Sequence, residues 1–458
     1  MSTSVRPGEQ SNIDSNEYIA LEQTEVTSQA PTWRATLVQL WSLVVLPFLA
    51  IRLLLLLVGV VTIYYIVPLI NRQQPIHLDD RNMRFPAMLV FMWDRFDSGF
   101  YLDIAHNGYW GANTLHGMSN WAFFPLYPLL VHIFAAPFSS NYNAYVVTGV
   151  VIANIAAVVA AIYLYKLTLH EFHQQGIAAR AVLYLALFPL SYYLSAAYPE
   201  SLFLALSLGC VYYARLHRWW LAGALGGLAA LTRPQGVLLA VVVGWEYWQF
   251  LADSCAPLDA GRQGRVAIIQ TWIHSRMLGL WRSLRAWQTW PGFVALLLIP
   301  LGTGLFCLYG KWKVGTFFPF QMTERYGWGR SFTNPFSFLI KTLLNPQPPN
   351  PYDWNFYALN MLVILIFLLL LIPLFRKLPA IYGIFALIFI LMPLTTGAAN
   401  SIPRYYMEIF PVFMLLGWWT NQQRAELQAR RHNLITTLFA ILLSLFTVML
   451  TLGVYSLS

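Results

Sequence analysis

The chain has 458 residues and a formal net charge of +9, with 58% hydrophobic and only 10% charged side chains. Soluble domains carry roughly a quarter charged residues, so a water-soluble globular protein is excluded, because so much apolar surface could not be hidden from water. The basic residues are dispersed between apolar runs instead of forming a stripe, which excludes a typical nucleic-acid-binding protein and suits a chain that is oriented in a membrane and contacts lipids.

Residues 1–31 are polar and rich in Ser, Thr and Gln. This composition predicts a disordered cytoplasmic tail and not a signal peptide, since it has no early apolar stretch. We expect residues 32–458 to form a single all-α, polytopic transmembrane domain. Apolar runs of about 20 residues can cross the hydrocarbon core, and the sequence predicts about 11 such spans. They lie near 44–69, 143–166, 180–197, 200–214, 219–232, 236–251, 289–310, 354–374, 379–395, 405–420 and 434–456.

The apolar stretch Phe123–Phe138 is interpreted as a helix lying along the membrane interface. A crossing there would place His170, His173 and Arg180 on the same side as the loop that carries the first aspartates. With this topology the N-terminus is cytoplasmic, and two long loops, 71–142 and 311–353, lie on the outer side. The basic segment 252–288 is predicted to be an amphipathic cytoplasmic surface element.

Metal and cofactor signatures are weak. Cys210, Cys255 and Cys307 are far apart, which predicts neither a disulfide framework nor a zinc site. His106 and the other histidines of the first outer loop lack metal-ligand spacing, and no phosphate-cradling nucleotide motif is present. The sequence therefore predicts no metal ligand and no certain cofactor, and it leaves a divalent cation open.

The first outer loop carries the densest group of acidic residues. If the stretch around it is helical, Asp94, Asp97 and Tyr101 share one face, whereas Asp103 lies off that face. A carboxylate held among aromatic residues at a membrane surface suits a general base. The alternative is structural, with Asp97 capping the N-terminus of a short helix that ends at Gly108.

Further polar residues stand at span ends, where their burial is costly. Glu200 follows Tyr198-Pro199, Gln235 follows Arg233 between two short spans, and Arg404 precedes Tyr405. Each is either part of a functional site or a side chain that reaches the interface. Two arginines together indicate an anion site, because guanidinium groups bind phosphate oxygens in a bidentate manner.

Short motifs follow one another in a fixed order from the first outer loop to the last third of the chain. They are Arg95-Phe96-Asp97 with Tyr101, Ile104-Ala105 and Gly108-Tyr109, then Phe123-Phe124-Pro125 with Pro128, Glu200-Ser201-Leu202-Phe203, Thr232-Arg233 with Gly236, Pro403-Arg404-Tyr405, and Phe410-Pro411. As a set they resemble the PIG-V-like mannosyltransferases, the family of GPI mannosyltransferase 2, which are integral-membrane glycosyltransferases of the GT-C fold. Phe96 departs from the commoner Trp and Asp94 is an additional acid; the alignment favours Asp97 as the family's acidic residue.

This resemblance implies transfer of a sugar, expected to be mannose, from a polyprenyl-phosphate donor to a lipid or glycan acceptor on the outer or luminal face. Asp97, with Asp94 as the alternative, is then the catalytic base. Arg404 and Arg233 are expected to bind the donor phosphate. The remaining substrate-binding candidates are Tyr101, Glu200, Gln235 and Tyr405.

Two other classes of protein remain open. A transporter or flippase of a lipid-linked substrate predicts charges in the middle of spans, as at Arg52, whereas most lie at span ends and in outer loops. A non-catalytic membrane subunit would not need the acids of the first loop. The family that the chain resembles extends to bacteria, so a bacterial plasma membrane is favoured, with the endoplasmic reticulum membrane as the eukaryotic alternative.

Overall fold

The protein is all-helical in the part of the chain that the structure, a computed structural model, describes. That part comprises residues 33–71, 85–253, 289–344, 354–398, 401–421 and 424–453, and no β-strand occurs in it. The predicted all-α fold class is confirmed for these residues. The predicted tail 1–31 and nearly all of the predicted cytoplasmic segment 252–288 lie outside them, so the division into domains stays a prediction.

The first helix, α1, begins at Trp33 and ends at Asn71, with π-helical stretches at Trp41–Val45 and Thr62–Ile66. Arg52 lies in its middle and is buried. Its guanidinium donates hydrogen bonds to the carbonyl oxygens of Ser191 at 2.5 Å and Ala186 at 3.1 Å. Carbonyl groups at a helix C-terminus lack partners within the helix. Arg52 supplies a donor to such a group at Ala186, near the end of the helix Gln175–Leu187, and a second donor to Ser191 in the turn that follows. These hydrogen bonds are a structural explanation for a charge in a span.

The other α-helices follow in chain order. Up to residue 253 they are α2 Met88–Phe91, α3 Ser98–Asn107, α4 Leu126–Ala135, α5 Tyr142–Phe172, α6 Gln175–Leu187, α7 Glu200–Arg215, α8 Trp219–Thr232 and α9 Leu239–Asp253. From residue 289 onward they are α10 Trp290–Val314, α11 Pro319–Gly327, α12 Pro335–Leu344, α13 Trp354–Lys377, α14 Ala380–Leu394, α15 Ile402–Tyr406, α16 Pro411–Thr420 and α17 Ala425–Thr451.

Five helical segments in the described ranges are long and apolar enough to cross a membrane. They are Thr36–Ile70, Tyr142–Phe172, Trp290–Val314, Ala358–Lys377 and Ala425–Thr451. Their outer faces expose apolar side chains such as Leu57, Leu301 and Leu369, which suits contact with lipid. The protein is therefore an integral membrane protein. The predicted number of about 11 crossings is not confirmed, because several of the predicted spans are helices shorter than the roughly 20 residues that a crossing needs.

The stretch predicted to lie along the interface contains the short helix α4. A helix of ten residues rises about 15 Å, half the thickness of the hydrocarbon core, so it does not cross the membrane. It packs against α3 and α5 and leaves Leu129, Ile133 and Phe134 exposed. This apolar outer face is what a helix at a membrane interface requires.

Helices α8 and α10 approach each other through glycines. A Cβ atom added at Gly227 would lie 2.5 Å from the carbonyl oxygen of Leu298, closer than van der Waals contact allows. Gly223 and Gly302 likewise face backbone carbonyl groups across this contact. Small residues let membrane helices pack backbone to backbone, and this contact fixes α8 just before the segment that carries Arg233.

A group of charged side chains connects four helices at the C-terminal end of α7. Arg215 forms ion pairs with Glu171 at 2.7 Å and with Glu246. The Tyr382 hydroxyl donates a hydrogen bond to Glu171 at 2.7 Å. These residues come from α5, α7, α9 and α14, so the pairs hold those helices together at this end of the molecule.

Candidate active site

The turn before α3 holds Asp97 on a strained backbone. Phe96 has a φ of +53°, a left-handed conformation that costs about 1–3 kcal/mol at a residue other than glycine. The fully buried Tyr198 fixes the turn, because its hydroxyl donates to the Arg95 carbonyl at 2.7 Å and accepts the Asp97 N–H at 3.0 Å. Strain of this kind persists only where the surroundings enforce it, and it is concentrated at functional sites.

Asp97 precedes the first residue of α3, but its side chain does not cap the helix. The carboxylate instead accepts a hydrogen bond from Arg404 Nη1 at 2.9 Å. The capping alternative is therefore right about the position of Asp97 and about the helix end at Gly108, and wrong about the hydrogen bond. The condition for a face shared by Asp94, Asp97 and Tyr101 is not met at Asp94, because α3 begins only at Ser98, whereas Asp97 and Tyr101 both line the same cavity.

Arg404 links Asp97 to buried charges. Its Nε atom lies 3.4 Å from Glu200 Oε1. The same carboxylate oxygen lies 2.6 Å from Arg233 Nη1. Four separate parts of the chain thus meet: the first outer loop, the start of α7, the segment after α8 and α15. The structure brings together residues that the sequence analysis named separately.

The row of charges continues to Glu408, which the sequence analysis did not name. Glu408 lies between α15 and α16, with Oε1 2.9 Å from Arg233 Nη1. Gln235 donates a hydrogen bond to its Oε2 at 2.9 Å. An acidic residue in an otherwise apolar span is a signal for function, and that signal was available in the run Tyr405-Tyr406-Met407-Glu408-Ile409.

Exposure differs along this row. The side chain of Asp97 is 19% exposed, whereas those of Glu200 and Glu408 are at most 1% exposed. Buried ions must be paired to be tolerated, and the pairing with Arg233 and Arg404 provides this. Asp97 is thus the carboxylate of this group that a substrate can reach.

Aromatic rings surround the two arginines. The ring of Tyr405 lies 5.1 Å from the Arg233 guanidinium and 5.5 Å from that of Arg404. Tyr193 and Tyr198 lie at similar distances from Arg404. Rings at these distances attract a cation through their π faces, and they exclude water from the ion pairs.

A cavity of about 460 Å³ opens beside Asp97. A volume of this size is typical of small-ligand sites. Its walls combine apolar and aromatic residues with charged ones from the second outer loop. The apolar lining includes Phe123, Phe124, Phe320, Trp328, Phe332, Met392 and Pro393, and the polar lining includes Asp97, Tyr101, Arg233, Gln235, Glu324, Arg325, Arg330, Arg404 and Tyr405.

Tyr101 lies one helical turn beyond Asp97 and reaches the same cavity. Burial raises the pKa of its hydroxyl well above the usual value. Raising the pKa keeps the hydroxyl protonated at neutral pH, so Tyr101 can donate a hydrogen bond to a bound hydroxyl or phosphate oxygen. Its predicted substrate-binding role stays a prediction with a suitable location.

Asp94 and Asp103 are placed differently from Asp97. Asp94 accepts a hydrogen bond from Ser98 Oγ at 2.7 Å and does not line the cavity. Asp103 accepts hydrogen bonds from Trp110 Nε1 at 2.6 Å and from Asn107 and Asn120. These contacts fasten the loop after α3. Of these three aspartates, all within the described ranges, Asp97 is the one that borders the cavity.

No cluster of three or more potential metal-ligating side chains occurs within the described ranges. His106 is bonded to Asn107 and to the Ser140 carbonyl at 2.8 Å each, and His116 packs against Tyr326. His77 lies outside the described residues.

Comparisons with known proteins find two relatives that are similar to part of the chain. GPI mannosyltransferase 2 of Yarrowia lipolytica is 29% identical over 160 residues, which are 35% of this chain and 41% of that protein. GPI mannosyltransferase 2 of Schizosaccharomyces pombe is 29% identical over 165 residues, 34% of this chain and 32% of that protein. The chain thus matches less than half the length of these relatives.

The oligosaccharyltransferase of Archaeoglobus fulgidus aligns with 89% of this chain and 55% of its own, at 13% identity and a TM-score of 0.42. Residues 41–279 match the family described as Mannosyltransferase (PIG-V). This range is more than half of the chain, and it contains Asp97, Glu200, Arg233 and Gln235. The predicted family is confirmed: the chain belongs to the PIG-V mannosyltransferases.

Proposed function

We propose that the protein transfers mannose from a polyprenyl-phosphate donor to a hydroxyl group of a glycolipid acceptor at the outer or luminal face of the membrane. The observation that carries this proposal is the carboxylate of Asp97, which borders the cavity while Arg404 holds it at 2.9 Å. A base for an acceptor hydroxyl needs this position, open to substrate and fixed in orientation.

The reaction we propose is a single displacement. The acceptor oxygen attacks the anomeric carbon, the bond from that carbon to the phosphate oxygen breaks, and the acceptor proton moves to Asp97. The leaving group is polyprenyl phosphate, and the configuration at the anomeric carbon is inverted. Asp97 loses the proton to solvent before the next cycle.

Arg404 is assigned a positioning role. It contacts the carboxylates of Asp97 and Glu200 together, so it fixes Asp97 relative to the buried charges. Binding of the donor phosphate by Arg404 and Arg233, as predicted, is less favourable in this arrangement, because each arginine already contacts two carboxylates. Glu200 contacts both arginines and does not itself line the cavity.

The names of the relatives support a proposal for the acceptor class. The Yarrowia and Schizosaccharomyces proteins are both named GPI mannosyltransferase 2, which supports a glycosylphosphatidylinositol precursor as the acceptor. Both are also fungal proteins, so the predicted preference for a bacterial plasma membrane gains no support, and we propose the endoplasmic reticulum membrane.

The test is transfer by purified protein in lipid nanodiscs supplied with dolichyl-phosphate mannose and a glycolipid acceptor. We expect Asp97→Asn to lower the rate by about 10²–10⁴, the usual contribution of a general base, with an unchanged melting temperature. Asp94→Asn tests the alternative base in parallel. Full activity of Asp97→Asn would contradict the assignment. Movement of the donor across the bilayer of sealed proteoliposomes, without transfer of mannose, would favour the transporter or flippase alternative.

A further inference from the structure

The second outer loop brings a third arginine to the cavity. Arg330 follows α11 and lines the cavity with Arg233 and Arg404. Its guanidinium donates a hydrogen bond to the Tyr405 hydroxyl, and it lies close enough to Arg404 to be repelled by that positive charge. No motif of the sequence analysis included Arg330, and any role for it in binding a sugar donor rests on the proposed function.

Arg330 is held more loosely than the other two arginines. Its Nη1 lies 3.2 Å from Glu324 Oε2, and the two side chains are 17% and 33% exposed. Arg233 instead contacts Glu200 at 2.6 Å, where both side chains are at most 5% exposed. Partly exposed ion pairs contribute little free energy, whereas breaking a buried pair leaves an uncompensated charge. An anionic ligand can therefore replace Glu324 as the ion-pair partner of Arg330 at a small cost in free energy.

The geometry of a displacement reaction also distinguishes an arginine beside the base from one beside the leaving phosphate. The base lies about 3 Å from the attacking oxygen, which lies about 3 Å from the anomeric carbon. The leaving phosphate is on the far side of that carbon, so it is more than roughly 6 Å from the base. Arg404 binds Asp97 directly and uses its Nε edge toward Glu200, which places it on the acceptor side.

We propose that Arg330 binds the phosphate group of the polyprenyl-phosphate donor and of the departing polyprenyl phosphate. Its guanidinium exchanges the Glu324 carboxylate for two phosphate oxygens, a bidentate contact that suits its planar shape. The glycosyl phosphate of the donor carries one negative charge, and the leaving monophosphate develops a second one. Arg330 thus interacts more strongly with the charge that develops on the leaving phosphate in the transition state than with the bound donor, and this difference accelerates the reaction.

Glu324 supports this exchange. Desolvation in the cavity wall raises the pKa of its carboxyl group, with Arg330 acting in the opposite direction. A carboxyl group with a raised pKa is more readily protonated. When phosphate approaches and adds negative charge, Glu324 gives up the ion pair more readily than an acid of ordinary pKa.

The test measures binding and does not require turnover. Purified protein in phosphatidylcholine nanodiscs is titrated with dolichyl phosphate, with dolichol, and with inorganic phosphate. We expect dolichyl phosphate to bind tightly, and Arg330→Ala to raise its dissociation constant at least tenfold. Glu324→Gln should lower the dissociation constant severalfold, because it frees Arg330. Lys341→Ala is the matched control, since it removes one positive charge from the exposed surface of α12, and its effect should stay within twofold.

The outcomes separate this inference from the proposed function. Unchanged binding by Arg330→Ala, or equal binding of dolichol and dolichyl phosphate, would overturn the phosphate assignment. The assignment would also be overturned if Arg330→Ala weakened the binding of inorganic phosphate but not of dolichyl phosphate. Arg330 would then bind a free anion and not the phosphate of a lipid. Arg330-dependent binding of dolichyl phosphate without mannose transfer by the wild type would support the phosphate site and reject the transferase. Transfer with an unchanged donor KM in Arg330→Ala would reject the site and keep the transferase.

Discussion

At the scale of single residues, Arg404 touches two carboxylates with two different nitrogen atoms. Nη1 contacts Asp97 and Nε contacts Glu200. A lysine ammonium is a compact point charge and lacks this planar fork. It can neutralise one carboxylate while leaving the other misplaced. The position of the base therefore depends on the shape of this side chain as well as on its charge.

We predict that Arg404→Lys lowers kcat at least tenfold and changes the acceptor KM by less than threefold. The reason is that Asp97 loses its fixed orientation while the charge of the site is kept. Steady-state kinetics in nanodiscs measure both quantities. Arg431→Lys is the control, because Arg431 does not line the cavity, is half-buried and donates to the Trp419 carbonyl. An unchanged kcat in Arg404→Lys would remove the positioning role.

Arg233 lies deeper than Arg404 and is expected to matter for stability. It compensates both Glu200 and Glu408, and removing one partner of a buried pair costs about 3–5 kcal/mol. We predict that Arg233→Met lowers the melting temperature in detergent by several degrees. Adding Glu408→Gln should restore part of the loss, since it removes one uncompensated charge. A double variant less stable than Arg233→Met would show that these charges do not form one unit.

At the scale of secondary-structure elements, the backbone contact between α8 and α10 leaves no room for a side chain. A Cβ atom at Gly227 would clash with the Leu298 carbonyl, whereas one at Gly244 on α9 meets nothing within 4 Å. We predict that Gly227→Ala lowers the melting temperature and the yield of folded protein, although alanine has a higher intrinsic helix propensity than glycine. Gly244→Ala should leave both unchanged or improved. Equal behaviour of the two variants would mean that α8 and α10 do not pack this closely.

Apolar run length predicted some helix ends well and others poorly. The predicted span 219–232 has the bounds of α8, and the span 200–214 differs from α7 by one residue. The span predicted at 180–197 is interrupted, because α6 ends at Leu187 before Pro189. A residue before proline is disfavoured in helical conformation, and Phe188 has a ψ of 138°. The run length alone did not show this break.

The break in the predicted span 405–420 has a functional meaning. The short helix α15 ends at Tyr406 and α16 begins at Pro411. Glu408 lies in this interruption and contacts Arg233 there. Irregular backbone at membrane depth is tolerated where it is buried in protein. Hydrophobicity predicted a span here, and only the tertiary structure showed that the helix is interrupted at the position of a buried carboxylate.

At the scale of the whole molecule, the site joins residues that sequence spacing cannot bring together. Asp97 and Arg404 are 307 positions apart. The ordered motifs indicated that both matter, but not that they form an ion pair. Glu324 and Arg330 stand in an aromatic loop whose composition suits any segment near a membrane, so nothing in their local sequence distinguished them. The all-α membrane architecture, by contrast, follows from the composition itself.

Helix α7 connects two groups of ion pairs. Glu200 at its start belongs to the candidate active site, and Arg215 at its end binds Glu171 and Glu246. We predict that Tyr382→Phe, which removes a hydrogen bond to Glu171, destabilises the protein by about 1 kcal/mol and leaves the donor and acceptor KM unchanged. Thermal unfolding and steady-state kinetics check the two parts. A changed donor KM would mean that the far end of α7 influences the cavity.

The length of α7 has a consequence for the choice of nucleophile. Glu200 and Arg215 are separated by about 22 Å at 1.5 Å per residue, less than the roughly 30 Å of the hydrocarbon core. In a membrane-crossing orientation of α7, the two charged groups therefore cannot both lie at the level of the lipid headgroups, and at least one is recessed toward the bilayer centre. If the recessed group is the one beside Asp97, the cavity is poor in water, and hydrolysis of the sugar donor by water competes weakly with attack by an acceptor alcohol that arrives within the membrane.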